Sequence, residues 1–137
     1  MKREDLNYYL QNVPEQEIFQ LCEEINNEAR VEIIQKPTRQ TLLLPVKDPI
    51  NKGSFFSGEV LVTSTIVQVN NENGWAMVLD ENNDLSKAVA ILDGAFAAGI
   101  LQQPILNLAE KGKNIIREEE EKLNRKVEET RVSFDLM

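Results

Sequence analysis

The sequence predicts an α+β protein in which a mainly antiparallel sheet packs against helices, within a single domain. Apolar residues recur at helical spacing near the start, runs rich in β-branched residues follow, and helical spacing then returns. Strands that are grouped between helices, rather than alternating with them, are typical of α+β folds. The length of 137 residues suits one domain, which we expect to span residues 1–137.

The first predicted element is a helical segment over residues 5–27. Its apolar side chains fall roughly on one side of a helix: Leu6, Leu10, Ile18, Leu21, Cys22 and Ile25. Pro14 predicts a break, because proline followed by an acidic residue such as Glu15 suits the start of a second helix. Cys22 is the only cysteine, so no internal disulfide can form, and we expect it to be a small buried core residue.

The sheet core is predicted over residues 29–79. Residues 29–34 and 40–46 are two short apolar or β-branched runs, separated by the turn-like sequence QKPTR. The longer run over residues 55–69 does not alternate strictly between apolar and polar residues. Either both of its faces are covered or Gly58 marks a bulge.

The best hairpin signal follows this long run. Residues 70–74, NNENG, predict a turn, and residues 75–79, WAMVL, predict the returning strand. The two strands are therefore expected to pair antiparallel.

Helices are predicted over residues 84–129. The sequence DENND predicts a cap for a helix that begins near Leu85, and Gly99 is suited to its C-terminal end. A thin apolar stripe continues from Pro104 to about Glu129, although Gly112 weakens its middle, so that two helices are an alternative. The last residues, RVSFDLM, predict a terminal strand over residues 131–137.

Composition excludes several classes of function. The chain has 15 basic and 23 acidic residues, a net charge of −8, which argues against nucleic-acid binding by this chain alone. It contains no histidine and one cysteine, so a zinc site is not expected and no metal site is predicted. No apolar run is long enough to span a bilayer, and the start, MKREDLNYYL, lacks an apolar signal segment. The sequence therefore predicts a cytoplasmic protein that does not bind membranes.

Three charged clusters have both a structural and a functional interpretation. Residues 118–121, EEEE, are best explained as a solvated helix face, with Glu121 and Arg125 spaced for a weak ion pair. Asp80, Glu81 and Asp84 are read as a helix-capping loop rather than as a carboxylate or Mg²⁺ site, and a hydrolase built on Asp80 and Asp84 is a minor alternative.

The third cluster lies in the sequence KDPINKGS, residues 47–54. Lys47 and Lys52 are candidates for side chains close to an anion, although the sequence lacks the Walker pattern and a plain surface loop is favoured. No serine or cysteine nucleophile has a recognisable base, so the catalytic residues are unknown.

Two stretches, residues 53–96 and 127–137, resemble the PhnG family, the G subunit of the carbon–phosphorus lyase core complex. The resemblance covers roughly residues 40–137. The matching residues are Phe56, Gly58, Glu59, Thr63, Gly74, Asp93, Ala95, Thr130, Arg131, Val132, Phe134 and Met137. Three basic positions typical of the family differ: Ser64 follows Thr63, Lys47 is the nearest basic residue in the loop, and LDEN follows the aromatic strand.

The resemblance implies an accessory subunit of α-D-ribose 1-methylphosphonate 5-triphosphate synthase, a transferase. With PhnI-, PhnH- and PhnJ-type subunits, and PhnL associated, the complex would convert ATP and an alkylphosphonate to α-D-ribose 1-phosphonate 5-triphosphate and adenine. This chain would bind no cofactor, and ATP with Mg would be a substrate of the complex. The alternative is a diverged stand-alone module for protein interaction or small-ligand binding.

The same resemblance suggests a role for the C-terminal tail. Arg131, Val132, Phe134 and Leu136 would dock onto a partner as an edge strand. The alternative is that this strand completes the chain's own sheet.

Overall fold

The computed structural model describes residues 2–47 and 54–135, with side chains over residues 2–42 and 59–127. The elements are α1 (Arg3–Leu10), α2 (Glu15–Glu28), β1 (Val31–Lys47), β2 (Ser54–Val69), β3 (Glu72–Leu79), α3 (Asn83–Ala97) and α4 (Gln102–Asp135). The three strands form one antiparallel sheet in the order β1-β2-β3. The predicted α+β class, with an antiparallel sheet packed against helices, is confirmed.

The N-terminal helices divide where the sequence predicted a break. Pro14 occupies the N-cap position of α2, and Val13 immediately before it is buried in the core. Proline suits this place because its fixed φ fits a helix start and its missing N–H would have had no partner there. Cys22 lies buried on the inner side of α2, as predicted, and burial raises the pKa of its thiol.

The region before the first hairpin turn differs from the prediction. The two predicted runs, residues 29–34 and 40–46, are joined in one strand, β1, which begins at Val31, rather than forming two strands with a turn between them. The QKPTR sequence is accommodated by two register shifts, between Ile33 and Gln35 and between Gln35 and Thr38. An extra residue in one strand bends the sheet without ending it, and Pro37 is tolerated because β1 is an edge strand. A third shift, between Leu44 and Pro45, lies next to the pairing of Leu44 with Gly58, where a bulge was an option.

The β2–β3 hairpin and the helix after it follow the sequence closely. Asn70 and Asn71 form the turn with positive φ values of 47° and 74°, and β3 begins at Glu72. Asn82 caps α3 by accepting the Leu85 N–H at 3.1 Å. Gly99, with φ of 78°, follows the helix end in the left-handed conformation that glycine favours.

One face of the sheet packs on α3 at short range. Gly74 in β3 lies against the backbone of α3, where an added Cβ would overlap Ala90 O and lie 2.6 Å from Gly94 N. Because side chains alternate along a strand, Ala76 and Val78 also point toward the helix and are buried. Trp75, Met77 and Leu79 consequently lie on the opposite face of the sheet.

The C-terminal region is a single helix, so the alternative of two helices at Gly112 does not hold. Gly112 is needed for packing rather than for a break, since an added Cβ would overlap Tyr9 O of α1. Lys111 also pairs with Glu17 of α2 at 2.7 Å. The first half of α4 is thereby held against the two N-terminal helices.

The predicted terminal strand over residues 131–137 is wrong as far as the structure describes it. Helix α4 continues through Asp135, and residues 136–137 lie outside the described part. A strand needs a neighbour to satisfy its backbone groups, whereas a helix satisfies them internally. The preceding glutamate, lysine and arginine residues have high helix propensity, so the helix propagates into a sequence that alternates only briefly.

Candidate interaction surfaces

The outer edge of β3 is closed by a row of side chains from α1. Asn7 donates from Nδ2 to Trp75 O at 2.7 Å and accepts the Met77 N–H on Oδ1 at 3.2 Å. Gln11, one turn later, donates to Met77 O at 2.9 Å and accepts from Leu79 N at 3.4 Å. The two amides occupy the hydrogen-bonding positions that a fourth strand would use.

The spacing of this row follows from element geometry. Four residues of helix rise about 6 Å and two residues of strand about 6.6 Å. Side chains at positions i and i+4 of α1 therefore keep step with alternate residues of β3. Arg3 extends the row by one more turn, donating from Nη2 to Asn73 O at 2.6 Å.

Arg3 also forms an ion pair with a buried carboxylate of α3. Its Nε and Nη2 donate to Asp93 at 3.0 and 2.8 Å, and the Asp93 side chain is 5% exposed. Asp93 further accepts the Trp75 N–H at 2.9 Å. The hydrogen bond to Asp93 raises the pKa of Arg3, so the guanidinium stays charged throughout the physiological range.

We expect Asn7→Ala to destabilise the protein by about 2 kcal/mol, because Trp75 O and Met77 N lose their partners at a site that is 6% exposed. The matched control is Asn12→Ala, since the Asn12 amide donates to Tyr8 O in an exposed hydrogen bond at the end of α1 and bonds to no strand among the described residues. Urea denaturation of both variants measures the difference. Equal midpoints would contradict the assignment of Asn7 as an edge cap.

The face of the sheet opposite α3 carries an apolar groove. The apolar residues that line this open-face groove on the sheet and α1 are Tyr8, Leu42, Val60, Val62, Met77 and Leu79, and Val78 and Leu85 from the α3 side also contribute to its lining. At its margins Leu79 is 64% exposed and Tyr8 is 56% exposed. Large apolar side chains clustered in this way on a protein surface mark an interaction site.

The distal half of α4 is a second exposed surface. Residues 117–127 are all exposed, and they include Leu123 at 61% and Val127 at 52%. The four glutamates at 118–121 are exposed as predicted, and Glu121 lies 3.9 Å from Arg125. Phe134 falls seven residues after Val127 and therefore shares its helical register rather than a strand face.

The residues of the strand motif all lie on β2. Phe56, Gly58 and Glu59 are in its first half, and Thr63 is fully buried in its centre. Thr63 Oγ1 donates to Asp80 O at 2.7 Å and accepts the Asn82 N–H at 3.2 Å. Thr63 therefore orders the loop that leads into α3.

The remaining predicted site residues are not brought together by the described structure. Arg131, Val132 and Phe134 lie in the last turns of α4, outside the described side chains, and Leu136 lies outside the described residues. Lys47 is the last residue of β1, and Lys52 is also outside the described part. Among the described residues that carry the family resemblance, Gly74 and Asp93 both lie at the contact between β3 and α3.

The acidic loop is a capping structure, as the sequence suggested. Glu81 pairs with Arg39 at 3.3 Å, and Asp84 lies in the first turn of α3. No group of three His, Cys, Asp or Glu side chains within the described residues could hold a metal ion. The part of the chain that the structure covers also contains no helix with the length and apolar character needed to cross a membrane.

Sequence reasoning missed Arg3, Asn7 and Gln11. The available signal was the recurrence of polar side chains every four residues beside the apolar stripe of α1. That pattern resembles an ordinary solvent-exposed helix face. Only the position of β3 beside α1 distinguishes such a face from a row of side chains that caps a strand edge.

The fold and surfaces define a small α+β protein that exposes apolar side chains on its sheet and on the distal half of α4. The family model for "Phosphonate metabolism protein PhnG" matches residues 1–137, the whole chain. This chain belongs to the PhnG family and has a role in phosphonate metabolism. A comparison with curated proteins finds no match.

Proposed function

We propose that this chain is an accessory subunit of the C–P lyase complex. The complex would convert ATP and an alkylphosphonate to α-D-ribose 1-phosphonate 5-triphosphate, with release of adenine. PhnI-, PhnH- and PhnJ-type subunits would be its partners, with PhnL associated. Membership of the PhnG family supports the pathway, and the surfaces of the chain support the role of a subunit.

The observation that carries the proposal is the open-face groove. Leu79 and Trp75, at 64% and 43% exposed, lie on a sheet face that turns away from α3. Burying apolar surface contributes about 25 cal/mol per Å², so covering this face would stabilise a complex. The groove is bordered by the amide groups of Gln11 and Asn12, which suits the polar rim of a protein interface.

The charge of the chain supports a non-catalytic role. ATP and a phosphonate are both anionic, whereas this chain has a net charge of −8. Lys47 and Lys52 are the candidates for anion contact on this chain. We assign binding of ATP and its Mg to the other subunits and catalysis to the PhnI-type subunit.

A second candidate, a stand-alone binding module, is favoured by one observation. Ser64 occupies the place after the strand threonine where the family usually has arginine, and it is 4% exposed. A cation at that place is therefore absent from this chain. The open-face groove supports the subunit instead.

Reconstitution with purified PhnI-, PhnH- and PhnJ-type proteins from the same genome tests the proposal. We expect one complex by size-exclusion chromatography with light scattering. Together with the PhnL-type protein, it should release adenine from ATP and methylphosphonate at least tenfold faster than the same set without this chain. Equal adenine release without the chain would contradict the proposed function.

Two matched substitutions locate the interface. Leu79→Glu places a charge in the open-face groove and is expected to weaken assembly at least tenfold, because a buried unpaired charge is strongly unfavourable. Leu123→Glu makes the same change on the distal half of α4, where fewer apolar residues cluster, and should weaken assembly less. The reverse order would assign the interface to α4.

A further inference from the structure

The two edges of the sheet differ in whether their backbone groups have partners. The outer edge of β3 is closed by Arg3, Asn7 and Gln11. Among the described residues, no element pairs with the outer edge of β1. An unpaired edge strand presents backbone donors and acceptors to any extended chain that approaches it.

The direction of the free backbone groups follows from the pairing. Leu61 O accepts the Asp80 N–H. The backbone N–H and C=O groups of odd-numbered residues of β2 therefore point toward β3, and those of even-numbered residues point toward β1. Since Val62 pairs with Gln40, the Gln40 backbone bonds inward. The backbone groups of residues 39, 41 and 43 therefore point outward from the sheet.

The regular part of this edge is short and bounded. Residues 38–44 pair with β2 without a shift, while register shifts occur on either side of them. Thr38, Arg39, Gln40 and Thr41 are all exposed. The edge thus offers a stretch that would match one short strand.

Charge indicates the chemistry of the strand that fits. Residues 30–47 contain four basic residues and one acidic residue, a net charge of +3, in a chain of net charge −8. The basic residues are Arg30, Lys36, Arg39 and Lys47; Arg30 pairs with Glu32 and Arg39 with Glu81, both through exposed side chains that solvent screens. An acidic strand would be attracted to this edge, and a second copy of the same basic strand would be repelled.

We infer that the outer edge of β1, at residues 39–43, receives an extended strand with acidic side chains from a partner subunit. The strand would add to the sheet through backbone hydrogen bonds to residues 39, 41 and 43. This inference rests on the proposed function, because the partner is a subunit of the same complex. The site of strand addition is thereby assigned to β1 instead of the C-terminal tail, because the tail is helical through Asp135.

Thr41→Pro tests the inference, because it removes an outward N–H without touching the inward bonds of Gln40 and Leu42. We expect affinity for the PhnI-, PhnH- and PhnJ-type subunits to fall at least tenfold. Thr41→Ala, which keeps the N–H, should bind within twofold of the wild type. Arg39→Glu should also weaken binding, with a smaller salt dependence than the wild type.

Hydrogen exchange of the wild-type chain provides a second measurement that needs no variant. In the isolated chain the amides of residues 39, 41 and 43 should exchange fast and those of residues 40 and 42 slowly. In the complex both sets should be protected. Unchanged fast exchange at residue 41 in the complex would overturn the inference.

The outcomes separate the inference from the proposed function. If Thr41→Pro binds the subunits as well as the wild type does, strand docking at β1 is wrong and the subunit role stands. If the wild-type chain binds none of the subunits, both fail. A homodimer that Thr41→Pro disrupts would show that the occupant is a second copy, which also overturns the inference.

Discussion

Gly74→Ala is expected to lower the free energy of unfolding by about 3 kcal/mol, a loss of about 10 °C in Tm for a chain of this size. The added methyl group would overlap Ala90 O and crowd Gly94 N at 2.6 Å. Both neighbours are helix backbone, so neither can turn aside as a flexible side chain would. The sheet and α3 would have to separate, which weakens the packing of Ala76 and Val78 as well.

Gly99→Ala is the control for this effect. Gly99 has a φ of 78°, and an added Cβ there meets nothing within 4 Å. We therefore expect only the conformational penalty, about 1 kcal/mol. Thermal unfolding followed by circular dichroism compares the two variants, and a Gly74→Ala loss no larger than that of Gly99→Ala would show that β3 and α3 are not in close contact.

Asp93→Ala is expected to lower the free energy of unfolding by about 2–4 kcal/mol. Three hydrogen bonds end on this carboxylate: two from Arg3 and one from the Trp75 N–H. Most of this loss of stability comes from the Trp75 N–H, which is left without its hydrogen-bond partner beside a largely buried site. The ion pair itself contributes less, because the Arg3 side chain is 47% exposed and solvent screens it.

Glu17→Ala is the matched control for the ion pair. It removes a salt bridge to Lys111 of similar length, 2.7 Å, between side chains that are 38% and 48% exposed. Such a pair contributes about 0–1 kcal/mol. Urea denaturation of both variants decides the issue: similar losses would mean that the burial of Asp93 adds nothing.

Gly74 and Asp93 also explain part of the family resemblance in physical terms. Gly74 and Asp93, both among the matching residues, act on the same contact between β3 and α3. Thr63, another matching residue, positions the loop before α3 through Asp80 and Asn82. These residues hold the sheet on its helix, so their pattern reflects the fold and does not by itself mark a binding site.

The C-terminal tail shows where local pattern reasoning stops. Val132 and Phe134 alternate in sequence like strand residues, yet they lie in α4. Two apolar residues spaced two apart are too short a run to distinguish a strand from a helix. In the helix, Phe134 lies seven residues after Val127 and so continues its register. Deciding between the two requires knowing whether a sheet edge is available to pair with.

The sequence by itself determined the α+β class, the break at Pro14, the β2–β3 hairpin and the capping of α3 by the DENND sequence. Each of these depends on residues close together in the chain, through backbone preference, turn geometry or side-chain periodicity. Only the tertiary structure decided that β1 is one bent strand and that α1 closes the edge of β3. Those features depend on which surfaces meet: an amide row on a helix becomes an edge cap only when an unpaired strand lies beside it, and no local pattern specifies that neighbour.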